Sequence, residues 1–268
     1  MAFDSILLQQ EDGIATVTLN RPQALNSLNR QIIEDIRAAL RQTSADNSVR
    51  ALIITGAGRG FCAGADLIDN GFGGDGVARS RGQGILHSME IGYNPLVRDL
   101  SQYPKPIVTA VNGVAAGGGV GLALSGDIVL AGKSAYFVQV FGPRLGLVPD
   151  MGCTWYLPML LGRARSRALA LLGDRLPAEK AAEWGLIWQA VDDDGLQQEA
   201  RNLAQRLAAG PTQAFARIKE LLDAAPRNTL DEQLELERRV QGVLGEQQDF
   251  IEGVTAFIQK REPKFKGE

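Results

Sequence analysis

The stretch Asn112-Gly-Val-Ala-Ala-Gly-Gly-Gly-Val-Gly121 decides the fold of this chain. It follows an apolar run at 107–111, which is predicted to be a buried strand, and it leads into a short helix predicted at 116–124. A strand, a glycine-rich turn and a helix in this order are typical of a parallel sheet with crossover helices. The stretch therefore predicts an α/β fold.

Further strands on both sides extend this pattern. The segments 6–9 and 14–19 flank the tight turn Glu11-Asp12-Gly13, so we expect them to form a hairpin. Asn29 is the expected N-cap of the first helix. Other strands are predicted at 51–55, 128–131, 136–138 and 186–191. The glycine-rich segment 69–84 is expected to be a mobile surface loop.

The C-terminal part of the chain is predicted to be helical. A helix at 163–172 ends at Gly173, and a second helix opens at Pro177 and closes at Gly185. After residue 195 helices are predicted at 196–208, 212–222, 230–244 and 250–259, the last with a capping box formed by Asp249 and Glu252. We therefore divide the chain into a core, residues 1–195, and a helical region, residues 196–268. The apolar stripes of that region indicate self-association.

Composition and charge exclude several classes of partner and site. The 268 residues carry a net charge of −3, which favours neither nucleic acid nor an anionic membrane. No apolar run is long enough to span a membrane, and the N-terminus does not resemble a signal peptide, so we expect a cytoplasmic protein. Cys62 and Cys153 have no metal-ligand or disulfide spacing, and the single histidine, His87, excludes a His-rich metal site. We expect no metal.

Two glycine-rich loops are candidates for ligand binding. The first runs from Gly56 to Asp66 and the second from Asn112 to Gly121, each after a predicted strand. Backbone N–H groups in two converging loops of this kind could form an oxyanion hole. The other interpretation is that these glycines serve only turn geometry. Neither loop matches a phosphate-binding loop or a dinucleotide-binding fingerprint.

Four ordered motifs favour ligand binding over turn geometry as the role of these glycine-rich loops. They are Asn20-Arg-Pro-Gln-Ala-Leu-Asn26, Gly60-Phe-Cys-Ala-Gly-Ala-Asp66, Pro104-Lys-Pro-Ile-Val-Thr-Ala-Val-Asn-Gly-Val-Ala-Ala-Gly-Gly-Gly119 and Leu145-Gly-Leu-Val-Pro149. In this order the chain resembles the crotonase (enoyl-CoA hydratase/isomerase) superfamily from about residue 5 to its C-terminus. The resemblance implies a crotonase-like spiral of ββα units followed by an all-helical trimerisation region.

The resemblance also implies a binding site for an acyl-CoA thioester. The N–H groups of Ala65 and Gly118 would hold the thioester oxygen, and Asp150 would be the catalytic acid/base. Segments that match Ala24, Ala63, Asp66 and Leu67 line the CoA path in this family; Gly117 and Phe141 are the further predicted substrate contacts. Residues that match Phe257 and Lys260 reach a CoA bound in a neighbouring subunit of a homo-trimer or a dimer of trimers. CoA is part of the substrate, and no separate cofactor is expected.

The acid/base residues decide between the reactions of the family. The two glutamates of its hydratases fall on Gly121 and on Phe141 or Gly142, none of which ionises. Asp150 resembles the single carboxylate of its double-bond isomerases, and we expect Leu147, Val148 and Phe141 to desolvate it. An aspartate after a proline is also a common helix N-cap, which is the other interpretation of Asp150.

The predicted function is therefore isomerisation of an acyl-CoA through a thioester enolate. Motifs such as Tyr93-Asn-Pro-Leu-Val-Arg98 are similar to the branch of the family that isomerises ring epoxides in phenylacetate catabolism, with an extra residue near 140–144. The alternatives are an enoyl-CoA hydratase, an aroyl-CoA dehalogenase, and a binding or scaffold protein without catalysis. The dehalogenase ranks low, because its histidine would fall on Asn94 and its tryptophan near Gly142.

Overall fold

Two β-sheets of unequal size organise the structure, a computed structural model that describes residues 3–67 and 77–268. In chain order the strands are β1 (Ile6–Glu11), β2 (Ile14–Leu19), β3 (Ala51–Gly56), β4 (Gly60–Cys62), β5 (Ile107–Val111), β6 (Val114–Ala116), β7 (Ile128–Gly132), β8 (Tyr136–Val138), β9 (Leu176–Pro177) and β10 (Gln189–Val191). The helices are α1 (Arg30–Ala45), α2 (Arg81–Ser88), α3 (Asn94–Ser101), α4 (Gly118–Leu124), α5 (Cys153–Leu172), α6 (Ala178–Glu183), α7 (Leu196–Ala208), α8 (Thr212–Ala224), α9 (Leu230–Leu244) and α10 (Gln248–Gln259).

The chain alternates between the two sheets. The large sheet has the order β1-β2-β3-β5-β7-β10, and the small sheet has the order β4-β6-β8-β9. Among the described strands, β1 with β2 and β8 with β9 pair antiparallel, and all other pairs are parallel. From β3, β5 and β7 the chain passes to the neighbouring strand of the small sheet and then to a helix. This repetition is the expected spiral of ββα units.

Side-chain alternation along the large sheet divides its two faces between two cores. Leu52 and Ile54 of β3 belong to the core between the sheets, whereas Ala51 and Ile53 pack toward α7. On α7 the buried residues Leu196, Ala200 and Ala204 recur at helical spacing and cover this outer face. The first helix of the C-terminal region therefore packs directly on the large sheet. The division at residue 195 stays a prediction.

Most predicted elements are confirmed. The hairpin β1–β2 forms, and the Asn29 side chain accepts the N–H of Ile32 as the N-cap of α1. Several elements have different bounds, and two of them differ most. α5 begins at Cys153 and passes through a kink at Gly162, where φ is 70°, and the last strand covers only Gln189–Val191.

Two local predictions are wrong. Asp249 and Glu252 do not cap α10, whose N-cap is Gln247. The Asp249 carboxylate accepts the N–H groups of Lys266 and Gly267, and Glu252 pairs with Arg261, so both carboxylates hold the C-terminal tail.

The second correction concerns the glycine-rich segment 69–84. Residues 81–84 form the first half of α2, which has a capping box between Ser80 and Gln83. Of the remainder, residues 77–80 form no helix or strand, and residues 69–76 lie outside the described residues.

The C-terminal helices carry exposed apolar side chains. α9 has no buried residue, and exposed apolar residues of α8, α9 and α10 include Ile218, Leu222, Leu230, Leu234 and Phe257. Contiguous exposed apolar surface often marks a contact site for another molecule, and the self-association expected from the sequence stays a prediction. Within the two described ranges, no helix is long and apolar enough to cross a membrane.

Candidate active site

The glycines of α4 allow two backbone segments to touch this helix. A Cβ atom on Gly119 would overlap the carbonyl oxygen of Cys62, and a Cβ atom on Gly121 would overlap the carbonyl oxygen of Met151. The end of β4 therefore packs on one side of the helix and the turn before α5 on another. Only glycine permits approaches this close, which is the physical reason for the glycine-rich stretch from Gly117 to Gly121.

The segment after β4 brings Ala65 to the start of α4. Gly64 has φ of 89°, and a Cβ atom built on it would lie 2.7 Å from the Ala116 carbonyl oxygen and 3.3 Å from the Gly118 nitrogen. On its other side the segment forms a parallel bridge with Leu28, whose N–H donates to Gly64 O over 2.7 Å. In this bridge Leu28 bonds the residues on both sides of Ala65, so the N–H of Ala65 itself points to the opposite side of its strand, away from Leu28.

The N–H groups of Ala65 and Gly118 thus lie close together and keep their hydrogen-bonding capacity. Neither donates to an acceptor among the residues that the structure describes. The first N–H groups of a helix have no intrahelical partner, so the Gly118 N–H is available by its position alone. Two such donors can hold one oxygen atom that carries negative charge.

Asp150 lies at the same end of α4. It precedes Met151 and Gly152, which both have left-handed backbone conformations with φ of 50° and 77°. This sharp turn directs the Asp150 side chain at Gly118: a Cβ atom built on Gly118 would lie 3.2 Å from Asp150 Oδ1. Oδ1 is buried and has no hydrogen-bond partner in the described part of the chain.

The alternative role of Asp150 as a helix N-cap is not observed. The N-cap of α5 is Gly152, and no side chain caps this helix. Only the backbone carbonyl of Asp150 takes part in the turn, where it accepts the Cys153 N–H over 2.9 Å. The carboxylate is therefore not occupied by a structural hydrogen bond at the helix terminus.

Burial changes the acidity of this carboxyl group. It raises the pKa of Asp150 to about 6, because the charged form loses its hydration. The expected desolvating neighbours Leu147 and Val148 do not supply this burial, since they are 44% and 77% exposed. The buried groups nearby are Met151, whose side chain packs on Gly118, and Tyr93.

Phe141, the third expected desolvating neighbour, is buried and packs on the backbone at the start of α4. Its ring lies against Gly117, where a built Cβ atom would be 3.3 Å from Phe141 Cε2. Gly117 itself has φ of 52° and donates its N–H to the Val138 carbonyl over 2.9 Å. The two predicted substrate contacts therefore meet at the N-terminus of α4, beside Gly118.

The predicted CoA-binding segments are brought together on one side of this site. The Ala63 N–H donates to Leu25 O over 3.0 Å, which joins its segment to the turn that contains Ala24. The Asp66 carboxylate forms an ion pair with Arg21 at 2.9 Å and accepts the Ser27 hydroxyl at 3.0 Å. Asp66 is predicted to line the CoA path. In the structure its carboxylate links the segment after β4 to Arg21 and Ser27, which flank the turn that contains Ala24.

Leu67, Phe257 and Lys260 differ from the other predicted residues. Leu67 is 62% exposed and is the last residue described before the gap. Phe257 is exposed on α10, and Lys260 ends that helix with a φ of 53°. Among the described residues, no hydrogen bond or ion pair joins α10 to the segments that carry Ala65, Gly118 and Asp150. Phe257 instead lines a pocket with residues of α8, α9 and the tail.

The site also contains residues to which the sequence analysis assigns no role. Tyr93 and Leu28 lie between the Ala65 segment and Asp150, and no motif spacing indicates this. The two cysteines near the site are not candidate nucleophiles, because burial raises the pKa of both the Cys62 and the Cys153 thiol to about 12. No group of three potential metal ligands occurs in the described ranges.

A glycine-rich helix start with two available N–H groups and one desolvated carboxyl group between the two sheets form a candidate active site. The enoyl-CoA hydratase/isomerase family matches residues 9–268, and the chain belongs to this family. It is 51% identical to 1,2-epoxyphenylacetyl-CoA isomerase of Escherichia coli (strain K12), with 99% of each chain covered.

Other relatives carry the name of a different reaction. The chain is 43% identical over its whole length to a protein of Rhodobacter capsulatus named "Probable enoyl-CoA hydratase", with 100% of each chain covered. A solved structure of enoyl-CoA hydratase from Bacillus anthracis matches with a TM-score of 0.90 and 30% identity, covering 99% of this chain and 100% of that one. The chain is therefore an enzyme of this family, and its reaction has to be inferred from its site.

Proposed function

We propose that this enzyme isomerises an unsaturated acyl-CoA thioester, with Asp150 as its only acid/base. The observation that carries this proposal is the Asp150 carboxyl group, whose Oδ1 is buried, faces Gly118 and has no hydrogen-bond partner among the described residues. Its pKa of about 6 makes it a stronger base than an ordinary aspartate, while it remains able to return the proton.

The proton shift follows from this arrangement. The Asp150 carboxylate removes a proton from C2 of a 3-enoyl thioester, and the electrons of that C–H bond move toward the thioester oxygen. The N–H groups of Ala65 and Gly118 hold this oxygen as it becomes negative, and one such donor typically contributes about 3–4 kcal/mol. Asp150 then delivers the proton to C4, and the double bond ends between C2 and C3. The carboxylate is regenerated.

The surroundings of Gly121 argue against hydration. Water addition in this family uses a glutamate at this position, yet any side chain there would overlap the carbonyl oxygen and the Cβ atom of Met151. The second glutamate position falls on Phe141 or Gly142, where no group ionises. One carboxylate suffices for a proton shift, whereas hydration also needs a group that activates water. The geometry of the Met151 turn thus supports an isomerase.

The 51% identical relative suggests the acyl group. Its name describes the isomerisation of 1,2-epoxyphenylacetyl-CoA, so an aromatic ring epoxide, opened to an oxepin, is the first candidate substrate. A linear 3-enoyl-CoA is the second, because both reactions use an enolate held at the same thioester oxygen. We propose CoA binding along Ala24 and Ala63, assembly as a homo-trimer or a dimer of trimers, and no cofactor besides the CoA of the substrate.

The test compares the wild-type enzyme with Asp150→Asn on a 3-enoyl-CoA and on a 2-enoyl-CoA in water. We expect the wild type to isomerise the 3-enoyl substrate and the variant to lose about a thousandfold in kcat, since a positioned acid/base contributes roughly that much. Asp194→Asn, an exposed carboxylate on another surface, is the control. Isomerisation retained in Asp150→Asn would contradict the mechanism, and rapid hydration of the 2-enoyl-CoA would make the enzyme a hydratase.

A further inference from the structure

Tyr93 is a buried tyrosine between two parts of the candidate site. It is 8% exposed, and its hydroxyl donates to the Leu28 carbonyl oxygen over 3.2 Å. The negative charge of Asp150 contributes, after burial itself, to raising the pKa of Tyr93 far above its ordinary value, so the phenol stays protonated. Tyr93 is therefore a permanent hydrogen-bond donor within electrostatic range of the proposed base.

The acceptor of this hydrogen bond leads to the proposed thioester-oxygen site. Leu28 is fully buried and bridges Ala65: its N–H donates to Gly64 O over 2.7 Å, and its carbonyl accepts the Asp66 N–H over 3.0 Å. These two hydrogen bonds fix Gly64 and Asp66, the residues before and after Ala65. The position of the Leu28 carbonyl thus sets the direction of the Ala65 N–H, and the Tyr93 hydroxyl is the side-chain group that holds this carbonyl.

We infer that Tyr93 is a positioning residue of the active site: through Leu28 it fixes the Ala65 N–H beside Gly118, where the thioester oxygen is bound. The inference rests on the proposed function, because it needs a thioester oxygen at the two N–H groups. Its physical basis is that a hydrogen-bond donor stabilises a developing charge only when it is held at the correct position before the reaction. A small displacement of one donor is enough to weaken the effect.

Tyr103 provides a matched control. It is also a buried tyrosine, 3% exposed, and its hydroxyl donates to Thr43 Oγ1 over 2.9 Å, with its pKa raised to about 12 by burial. Thr43 belongs to α1 and has no contact with the Ala65 segment among the hydrogen bonds of the described residues. Tyr103→Phe and Tyr93→Phe both remove one buried hydroxyl, but only the second touches the site.

The test measures the thioester directly as well as turnover. The C=O stretching frequency of bound butyryl-CoA, which has no double bond to shift, falls when the carbonyl oxygen accepts hydrogen bonds. We expect a clear downshift in the wild type and in Tyr103→Phe, and a smaller downshift in Tyr93→Phe. For a 3-enoyl-CoA we expect kcat of Tyr93→Phe to fall by about tenfold, with KM changed less than about twofold. The reason is that the Ala65 N–H, which Tyr93 positions, stabilises the charge of the transition state more than it stabilises bound substrate.

The outcomes separate this inference from the proposed function. Wild-type protein that binds butyryl-CoA without a downshift would overturn the thioester-oxygen site itself. A normal wild-type downshift that Tyr93→Phe retains in full would overturn only the role of Tyr93. Replacement of Tyr93 by 4-aminophenylalanine, which keeps a donor at the ring, should restore the downshift. Its failure to do so, with normal folding, would also count against the hydrogen bond to Leu28.

Discussion

Asp150 carries its charge in surroundings that do not stabilise it. The turn through Met151 and Gly152 fixes the carboxyl group against Gly118, where Oδ1 is buried from water and accepts no hydrogen bond from a described donor. Catalysis needs the charged form, and folding disfavours it. This conflict at one residue produces two measurable consequences.

The first consequence is the pH dependence of the reaction. Only the carboxylate form of Asp150 accepts the α-proton, and its pKa is about 6. We expect kcat/KM to be constant above about pH 7 and to fall about tenfold per pH unit well below pH 6. Circular dichroism over the same range controls for unfolding. A kcat/KM that stays constant down to pH 4.5 would contradict Asp150 as the base.

The second consequence is the stability of Asp150→Asn. Because the pKa of Asp150 is raised from 3.8 to about 6 in the folded state, this group favours folding below pH 4, and that contribution is lost as the pH rises to 6 and above. A shift of this size corresponds to a cost of roughly 3 kcal/mol for the wild type at pH 8. We therefore expect Asp150→Asn to be more stable than the wild type in urea unfolding at pH 8. The difference should shrink at pH 4, and an Asn variant less stable at pH 8 would contradict it.

At this scale the sequence predicts which residues matter better than it predicts their contacts. The resemblance to the family implies roles for Asp150, Ala65 and Gly118, which stay predictions, and the structure brings these residues to one end of α4. The desolvating neighbours do not follow, because Leu147 and Val148 are apolar in the sequence but exposed in the fold. Tyr93 reaches Leu28 across 65 positions, and no local pattern indicates such a contact.

At the scale of elements, the fit between α4 and the Met151 turn is the feature that excludes a side chain at Gly121. We predict that Gly121→Ala lowers the free energy of unfolding by about 2 kcal/mol or more, because a backbone carbonyl cannot yield as a flexible side chain does. Gly121→Glu should destabilise further and give no hydratase activity.

The matched control is Gly242→Ala in α9. A Cβ atom there has no neighbour within 4 Å, so the same substitution should stabilise the helix by roughly 0.5–1 kcal/mol. Chemical denaturation of both variants compares them directly. If the two substitutions change the free energy of unfolding equally, the overlap with Met151 is not the cause.

Elements differ in how far local sequence determines them. The central strands β3 and β5 of the large sheet are buried apolar runs, so their composition is enough to predict them. The sequence Asp249-Phe-Ile-Glu252 has the spacing of a capping box, but both carboxylates bond the chain terminus instead. Backbone N–H groups of the C-terminal tail compete with those of the helix terminus for these two carboxylates. The position of the folded tail therefore determines which groups are bonded.

At the scale of the whole molecule, the C-terminal helices have apolar faces that the chain itself leaves exposed. Ile218 and Leu222 lie one turn apart on α8 and are 51% and 67% exposed, and they line a groove of about 810 Å³ with Trp155 and Trp188. The sequence predicts helices with apolar stripes here, but it does not predict which stripes the chain itself buries. α7 buries its apolar stripe against the large sheet, whereas α9 has no buried residue.

We predict that the wild-type enzyme sediments at three times its chain mass or at a multiple of it, and that Ile218→Asp shifts it toward the monomer. A charge in a buried apolar contact between subunits loses its hydration without gaining a partner, which costs several kcal/mol per contact. Leu7→Asp is the matched control, since Leu7 is 48% exposed on the edge strand β1, away from this groove. Because Phe257 and Lys260 are expected to reach the CoA of a neighbouring subunit, dissociation should also raise KM for the acyl-CoA. A wild type that is monomeric at micromolar concentration, or an Ile218→Asp variant that keeps both its mass and its KM, would contradict an assembly through α8.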